Sequence, residues 1–267
     1  MAARILSAAI LGPVVVLLVV YSPPLLFLVC VGAVGTLSLF EYFRMMRSMG
    51  LRVHPSFGYA AFWVLLAGLR QKWLPAAAII AAVVMAGFLS AMWRRHSPRD
   101  RAAGLMADLL GVFYLGFLLY PAVPLRFDFG EKLGLHWTIL LFTVIWVGDC
   151  MALVVGKTMG RTAFARQISP KKTNEGAVGG LFAGVAAAAL LQHFWCTDLP
   201  LGHVLVVSLL VGAFGQLGDL AESMLKRAAE VKDSSTIIPG HGGILDRIDS
   251  LLFAFPVLYI YLLVLYS

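Results

Sequence analysis

Residues 136–155 read HWTILLFTVIWVGDCMALVV, and within them Asp149 is the one residue that carries a formal charge. An α-helix rises 1.5 Å per residue, so a run of this length spans roughly 30 Å, the thickness of a bilayer's hydrocarbon core. Eight more apolar stretches resemble it, at residues 4–20, 25–43, 57–70, 73–93, 102–123, 177–195, 203–225 and 249–266. The 267-residue chain is 60% apolar and 13% charged, with a mean hydropathy of +0.88. A water-soluble domain needs about twice that share of charge. The reading is an all-α integral membrane protein with about nine transmembrane helices. Arg4 followed by Ile5–Val20 has the look of a signal peptide, but no small-residue cleavage site follows, and this stretch is read as a retained first helix. Cys30, Cys150 and Cys196 show no paired or metal-type spacing and read as packing residues.

Charge orients the helices. With a cytoplasmic N-terminus and nine crossings, 17 of the 21 Lys and Arg residues fall on the cytoplasmic side, leaving Arg70, Lys72, Arg126 and Lys132 outside. Cytoplasmic loops are enriched in Lys and Arg, so the expected topology is N-in and C-out. The polar material collects in two cytoplasmic loops, 156–176 and 226–248.

The second loop carries the densest chemistry. Asp219, Glu222, Ser223 and Lys226 are spaced i, i+3, i+4, i+7 and share one helix face, which Glu230 extends. Carboxylates at the inner end of an apolar helix are costly unless they meet protein, water or an ion. Ile238-Pro239-Gly240-His241-Gly242-Gly243 forms a tight turn whose backbone N–H groups can approach phosphate oxygens. Asp246, Arg247 and Asp249 then open the last helix, where either acid alone could be a helix cap. Asp219 and Asp246 are 27 residues apart, enough for both helix ends to meet at one surface. Two carboxylates meeting there require a cation, and hard oxygen ligands suit Mg²⁺.

The first loop adds Asp149 near the inner end of its helix, then Lys157, Arg161 and Ser169-Pro170-Lys171-Lys172-Thr173-Asn174-Glu175-Gly176. Two Lys, a Ser and a Thr in five residues supply several phosphate-oxygen donors. Gly156-Lys157-Thr158 does not complete a P-loop, because Met151 stands where the upstream glycine is required. Glu41 beside Arg44, and Asp108 beside Arg101 and Arg99, read as local ion pairs at the interface. His193 and His203 lie toward the outer side. No serine-histidine-aspartate arrangement and no zinc-type spacing is present in the sequence.

These residues resemble a known family. Ser223-x-Leu225-Lys226-Arg227, Lys232-Asp233 and Pro239-Gly240-His241-Gly242-Gly243-Ile244-x-Asp246-Arg247-Ile248-Asp249 are similar to the signature of the phosphatidate cytidylyltransferases (CDP-diglyceride synthases). Ser169–Gly176 resembles a second motif, with Asn174 where Trp is usual. Asp149-Cys150-Met151-Ala152-Leu153 stands where an Asp-Thr-Gly-Ala-Tyr-like run is common. The resemblance implies transfer of CMP from CTP to phosphatidic acid, giving CDP-diacylglycerol and pyrophosphate. It implies Mg²⁺ with a second cation, K⁺ being the candidate, held by Asp219 and Asp246, with Asp149, Glu222 and Asp249 as further acidic candidates. It also implies a homodimer in the bacterial inner membrane, with the active site facing the cytoplasm.

Lys226, Arg227, His241 and Lys172 are then the expected catalytic groups. Ser169, Lys171, Thr173, Ser223, Lys232, Gly242, Gly243 and Arg247 are the expected substrate-binding groups. Residues 1–93 are structural helices and 94–267 the catalytic region. Membrane lipids are expected partners, and a nucleic acid is not. The nucleophile, a phosphate monoester oxygen, has a second pKa of about 6, so it needs no strong base. The reaction asks instead for cations that screen phosphate repulsion.

Related CTP-dependent enzymes, such as a polyprenol or phytol kinase or an archaeal-lipid cytidylyltransferase, are the nearest alternatives. A transporter would place its charges at the bilayer midplane within paired repeats, a pattern absent from this sequence. A scaffold without a substrate is the third alternative. Reporter fusions after Tyr21, Ser97 and Ser267 are expected to read outside, inside and outside. A cytoplasmic reading at Ser267 would overturn the nine-crossing count.

Overall fold

Long apolar runs without breakers form long helices, because in a medium without water each backbone N–H must find its carbonyl within the segment. The computed structural model describes residues 2–71, 74–238 and 242–266, with residues 2–9 as backbone only. The helices are α1 (Ala2–Tyr21), α2 (Pro24–Ser48), α3 (Pro55–Gln71), α4 (Ala76–Met92), α5 (Pro98–Gly111), α6 (Ala122–Phe127), α7 (Glu131–Met159), α8 (Asn174–Phe194), α9 (Leu201–Ala228) and α10 (Leu245–Leu265). Each of the nine apolar stretches has helix at its place. Among the described residues, six stretches are long and apolar enough to cross a membrane: Pro24–Ser48, Pro98–Phe127, Glu131–Met159, Asn174–Phe194, Leu201–Ala228 and Leu245–Leu265. Ile10–Tyr21 and Ala76–Met92 are apolar but shorter.

Much of this apolar surface faces outward. Only 17% of the most apolar window of α8 is buried, and Phe182, Leu190 and Phe194 are exposed. Such a surface is untenable in water and ordinary in lipid. The molecule is a multi-pass helical membrane protein.

The fold departs from an all-helical reading at two places. Between α5 and α6 the helix widens into a π-helical turn over Val112–Phe117, where Gly116 packs under Leu65. In the loop between α7 and α8, strands β1 (Ala163–Ala165) and β2 (Ser169–Thr173) pair antiparallel, Ala163 opposite Thr173 and Ala165 opposite Ser169. The lysine-rich segment read as a turn-rich loop is therefore an ordered strand.

The chain forms two compact units. The first comprises Met1–Leu11, Pro23–Val123 and Leu225–Arg247. Leu39, Tyr42, Phe43, Phe62, Leu65 and Leu115 are fully buried there, and the Tyr42 hydroxyl donates to the Ala107 carbonyl at 2.9 Å. The second comprises Gly12–Ser22, Pro124–Met224 and Ile248–Ser267. Arg126, counted among the outer charges, is buried in it. Its guanidinium donates to the Val19 and Val20 carbonyls at 2.6 and 3.3 Å, at the C-terminal end of α1. It thereby supplies donors where a helix end leaves carbonyls without partners.

Within the second unit α7 and α8 pack backbone against backbone. A Cβ at Gly176 would lie 2.7 Å from the Ala152 carbonyl oxygen, one at Gly180 2.5 Å from that of Gly148, and one at Gly184 2.9 Å from that of Val144. The i, i+4, i+8 spacing keeps all three glycines on the α8 face that meets α7. Alanine favours an isolated helix over glycine by about 1 kcal/mol, yet here its methyl has no room. Gly180→Ala is expected to lower stability by about 1–3 kcal/mol through overpacking. Gly202→Ala, where nothing lies within 4 Å of the added carbon, should be neutral or stabilising. Thermal unfolding of both variants in detergent checks this, and the reverse order would sink it.

Candidate active site

In the second unit, α9 presents Asp219 and Glu222 one turn apart, and α10 brings Asp249 to them. The three carboxylates each offer an oxygen within 4.8 Å of the others. Gly218 makes this approach possible, since a Cβ there would lie 2.6 Å from the Asp249 carbonyl oxygen. Glu222 is fully buried. Asp219 accepts a hydrogen bond from Ser223 Oγ at 3.3 Å and forms an ion pair with Lys172. Asp149 of α7 adds a further negative charge to the field at Asp249. At the 4.8 Å limit, each pair of ionised carboxylates repels by roughly 3–4 kcal/mol at an effective dielectric of 20. An all-carboxylate, all-oxygen donor set matches a hard divalent ion such as Mg²⁺, and the residues present fit one.

Lys172 reaches Asp219 because the β-hairpin is held in place. Glu175 at the start of α8 accepts from the Arg161 and Thr162 backbone N–H groups at 3.0 and 3.2 Å and from Thr162 Oγ1 at 3.0 Å. Thr173 caps α8 by accepting from the Gly176 N–H at 3.1 Å, and Asn174 Nδ2 donates to Thr162 Oγ1 at 3.0 Å. Asn174 is thus part of the clamp. Lys171 is exposed beside the half-buried Ser169, Lys172 and Thr173.

In the first unit, Lys226 and Asp246 form a buried ion pair, Nζ to Oδ1, at 2.6 Å. The other oxygen of Asp246 accepts from the Ser234 N–H at 2.9 Å, Ser234 Oγ at 2.8 Å and the Gly243 N–H at 2.8 Å. Asp246 is therefore occupied by an ammonium group and three donors, while the carboxylates beside Asp219 are Glu222 and Asp249. Lys226 is the partner of Asp246 within the first unit. Gly242 adopts φ +81°, a left-handed conformation that favours glycine, and Ile238 donates its N–H to the Gly242 carbonyl at 2.9 Å. Lys232, Arg227 and Arg247 are exposed. His241 lies outside the described residues. The helical stripe ends early: α9 stops at Ala228, and Glu230 turns away with φ +56°.

Two acids assigned to local ion pairs have other partners. Glu41 of α2 is fully buried. Its carboxylate accepts from Ser235 Oγ at 2.5 Å, Ser234 Oγ at 3.0 Å, and the Ile244 and Leu245 N–H groups at 2.9 and 2.7 Å. Glu41 thus caps the first turn of α10 and pins the loop that presents Asp246. A Cβ at Gly243 would sit 2.6 Å from both Glu41 oxygens and closer still to Ser234 Oγ, so only glycine fits there. The sequence offered one sign of this role: an acid inside an otherwise apolar helix. Asp108 is held by Arg94 at 2.7 Å and by the His54 N–H at 2.8 Å, not by Arg101 or Arg99. Arg101 is engaged with the carbonyls of His96 and Met92.

The chain matches the model of the cytidylyltransferase family over residues 2–265. It is 33% identical over 270 residues to a phosphatidate cytidylyltransferase of Bacillus subtilis, an alignment covering 99% of this chain and 98% of that protein. A phosphatidate cytidylyltransferase of Synechocystis is 36% identical over 276 residues, covering 90% and 89%. One from Staphylococcus saprophyticus is 44% identical over 130 residues, about half of each chain at 49% and 50%.

Removing Glu41 would leave buried donors without an acceptor, at roughly 1–3 kcal/mol for each group. Glu41→Ala is expected to lower the unfolding midpoint and to speed amide hydrogen exchange selectively over residues 234–245. Exchange in that loop unchanged from the parent protein would remove Glu41 from this role.

Proposed function

The chain belongs to the cytidylyltransferase family, and from that membership we propose that it transfers CMP from CTP to phosphatidic acid, releasing pyrophosphate and forming CDP-diacylglycerol. The observation that carries this reading is the group of Asp219, Glu222 and Asp249 with Lys172 paired to Asp219. An oxygen of the lipid phosphate attacks the α-phosphorus of CTP, one P–O bond forms, and the bond to pyrophosphate breaks. With a second pKa of about 6, the attacking phosphate is already largely ionised near neutral pH.

Asp219, Glu222 and Asp249 would hold Mg²⁺. When bound, that ion neutralises triphosphate charge and polarises phosphoryl oxygens. Lys172 leaves Asp219 for a phosphate oxygen, a better-charged partner, with Lys171, Ser169 and Thr173 adding donors from β2. In the first unit, Lys226, Arg227, Lys232 and Arg247, with the N–H groups around Gly242 and Gly243, are donors suited to phosphate oxygens. Lys226 Nζ on Asp246 stands where a second, monovalent cation such as K⁺ would find a ligand. CTP is a cytoplasmic metabolite, and both loops are on the side that the Lys and Arg distribution makes cytoplasmic. Nine crossings, an N-in topology, a homodimer and the bacterial inner membrane complete the reading.

The test is purified protein with labelled CTP and a panel of lipid acceptors, the product resolved by thin-layer chromatography. Phosphatidic acid should be the preferred acceptor; labelled product from a polyprenol alone would overturn the reading. Asp219→Asn and Asp249→Asn should each lower turnover by about 100-fold or more and raise the Mg²⁺ requirement, with near-normal folding. If both variants turn over near the wild-type rate with an unchanged Mg²⁺ midpoint, the ion is held elsewhere.

A further inference from the structure

The loops joining α2 to α3 and α4 to α5, both in the first unit, form a cavity of about 640 Å³. Arg47, Arg52, His54, Arg94, Arg95 and His96 line it, and no acidic residue does. None of the six belongs to the carboxylate group, the Lys226–Asp246 pair or the β-hairpin. Four guanidinium groups at one cavity repel each other, and sequence-wide charge bias does not explain why they are built into a single wall.

The wall is fixed from behind. Asp108 in α5 is fully buried; it accepts from Arg94 Nη2 at 2.7 Å and from the His54 N–H at 2.8 Å. Arg94 Nη1 donates to the Arg52 carbonyl at 3.3 Å, tying one loop to the other. Gly104 admits that carbonyl, because a Cβ there would lie 2.2 Å from the Arg52 oxygen. One carboxylate therefore orders the cavity but neutralises only one of its four arginines. Two polar atoms are left over. Arg94 Nε and His54 Nδ1 are buried and have no hydrogen-bond partner among the described residues, although the Arg94 side chain is only 10% exposed.

Arginine's planar fork suits phosphate oxygens, and several forks around one volume suit a phosphate with more than one free oxygen. The cavity volume is in the range of small-ligand sites. The basic residues are flanked in the chain by Met49, Met92 and Trp93, exposed at 39%, 66% and 86%. Apolar side chains and a Trp beside arginines at the ends of apolar helices are the pattern of a headgroup layer. We infer that this cavity is a second phosphate site, for the phosphate of an anionic phospholipid headgroup or of a soluble phosphate ester, in addition to the site of group transfer.

The exposed Arg47, Arg52 and Arg95 can be changed without touching the Arg94–Asp108 pair. The full-length protein in neutral detergent is titrated with phosphatidylglycerol, which is not the proposed acceptor, and bound lipid is counted by native mass spectrometry. The variant Arg47→Gln/Arg52→Gln/Arg95→Gln is expected to bind the first lipid at least tenfold more weakly than the parent protein. A control with Arg44→Gln/Arg99→Gln/Arg166→Gln, equal in charge, should bind within twofold of it. A second arm titrates inorganic phosphate alone and follows protection of residues 47–54 and 94–96 in hydrogen exchange. Lipid binding lost in the first variant, with no effect of phosphate, assigns the site to a lipid. Protection by phosphate that the first variant loses assigns it to a soluble ester. Should the triple variant fail to fold, Arg52→Gln and Arg95→Gln singly, each expected to weaken binding about threefold, carry the same comparison. Binding of both probes unchanged in these variants, or weakened equally in the control, overturns the proposal.

Discussion

A carboxylate taken out of water must be met by donors or by a cation, and that requirement organises much of this protein. Glu41, Asp108, Glu222 and Asp246 are all buried. An isolated ionised carboxylate in such surroundings costs far more than a folded protein's whole margin of stability, so none stands alone. Asp108 draws in Arg94 and His54, and Asp246 draws in Lys226 and Ser234. Glu41 draws in two serines and the N-terminal N–H groups of α10. In each case the partner comes from a different segment, so satisfying the charge also fixes the position of a loop or helix end.

The group of Asp219, Glu222 and Asp249 brings three acids together in the second unit. Asp219 is paired with Lys172, a residue on a strand rather than deep in the bundle. Lys172 is 31% exposed and Asp219 27%, which leaves the pair within reach of solvent and ligand. The structural carboxylates here are enclosed with donors, whereas Asp219 pairs with a lysine that solvent can reach. Phosphoryl transfer between two anions needs that kind of positive charge and needs little else from the protein.

Close backbone packing makes these arrangements possible. Gly176, Gly180 and Gly184 let α8 lie against α7, and Gly218 lets α9 approach α10 at Asp249. Bulkier residues would separate the helices by more than the reach of a carboxylate. In a lipid medium apolar side chains gain little from meeting each other, and small residues that permit tight contact take over that work.

Hydropathy is a local property, summed over one turn after another, and the sequence by itself determined where the long apolar helices lie and the membrane class of the fold. Spacing on one helix is local too, and it put Asp219, Glu222, Ser223 and Lys226 on a common face. The signature around Gly242 and Asp246 marked the family. Tertiary structure alone decided which acid meets which partner. Asp246 and Asp249 lie three residues apart on one helix, and nothing in their spacing says that the first meets Lys226 and the second Asp219 and Glu222. Glu41 finds Ser235 across 194 residues, and Asp108 takes Arg94 over nearer arginines. Lys172 depends on a hairpin too short and too polar to be legible as strands. These pairings depend on the close approach of segments distant in sequence. Packing sets that approach to within an ångström, and no local pattern in the chain encodes it.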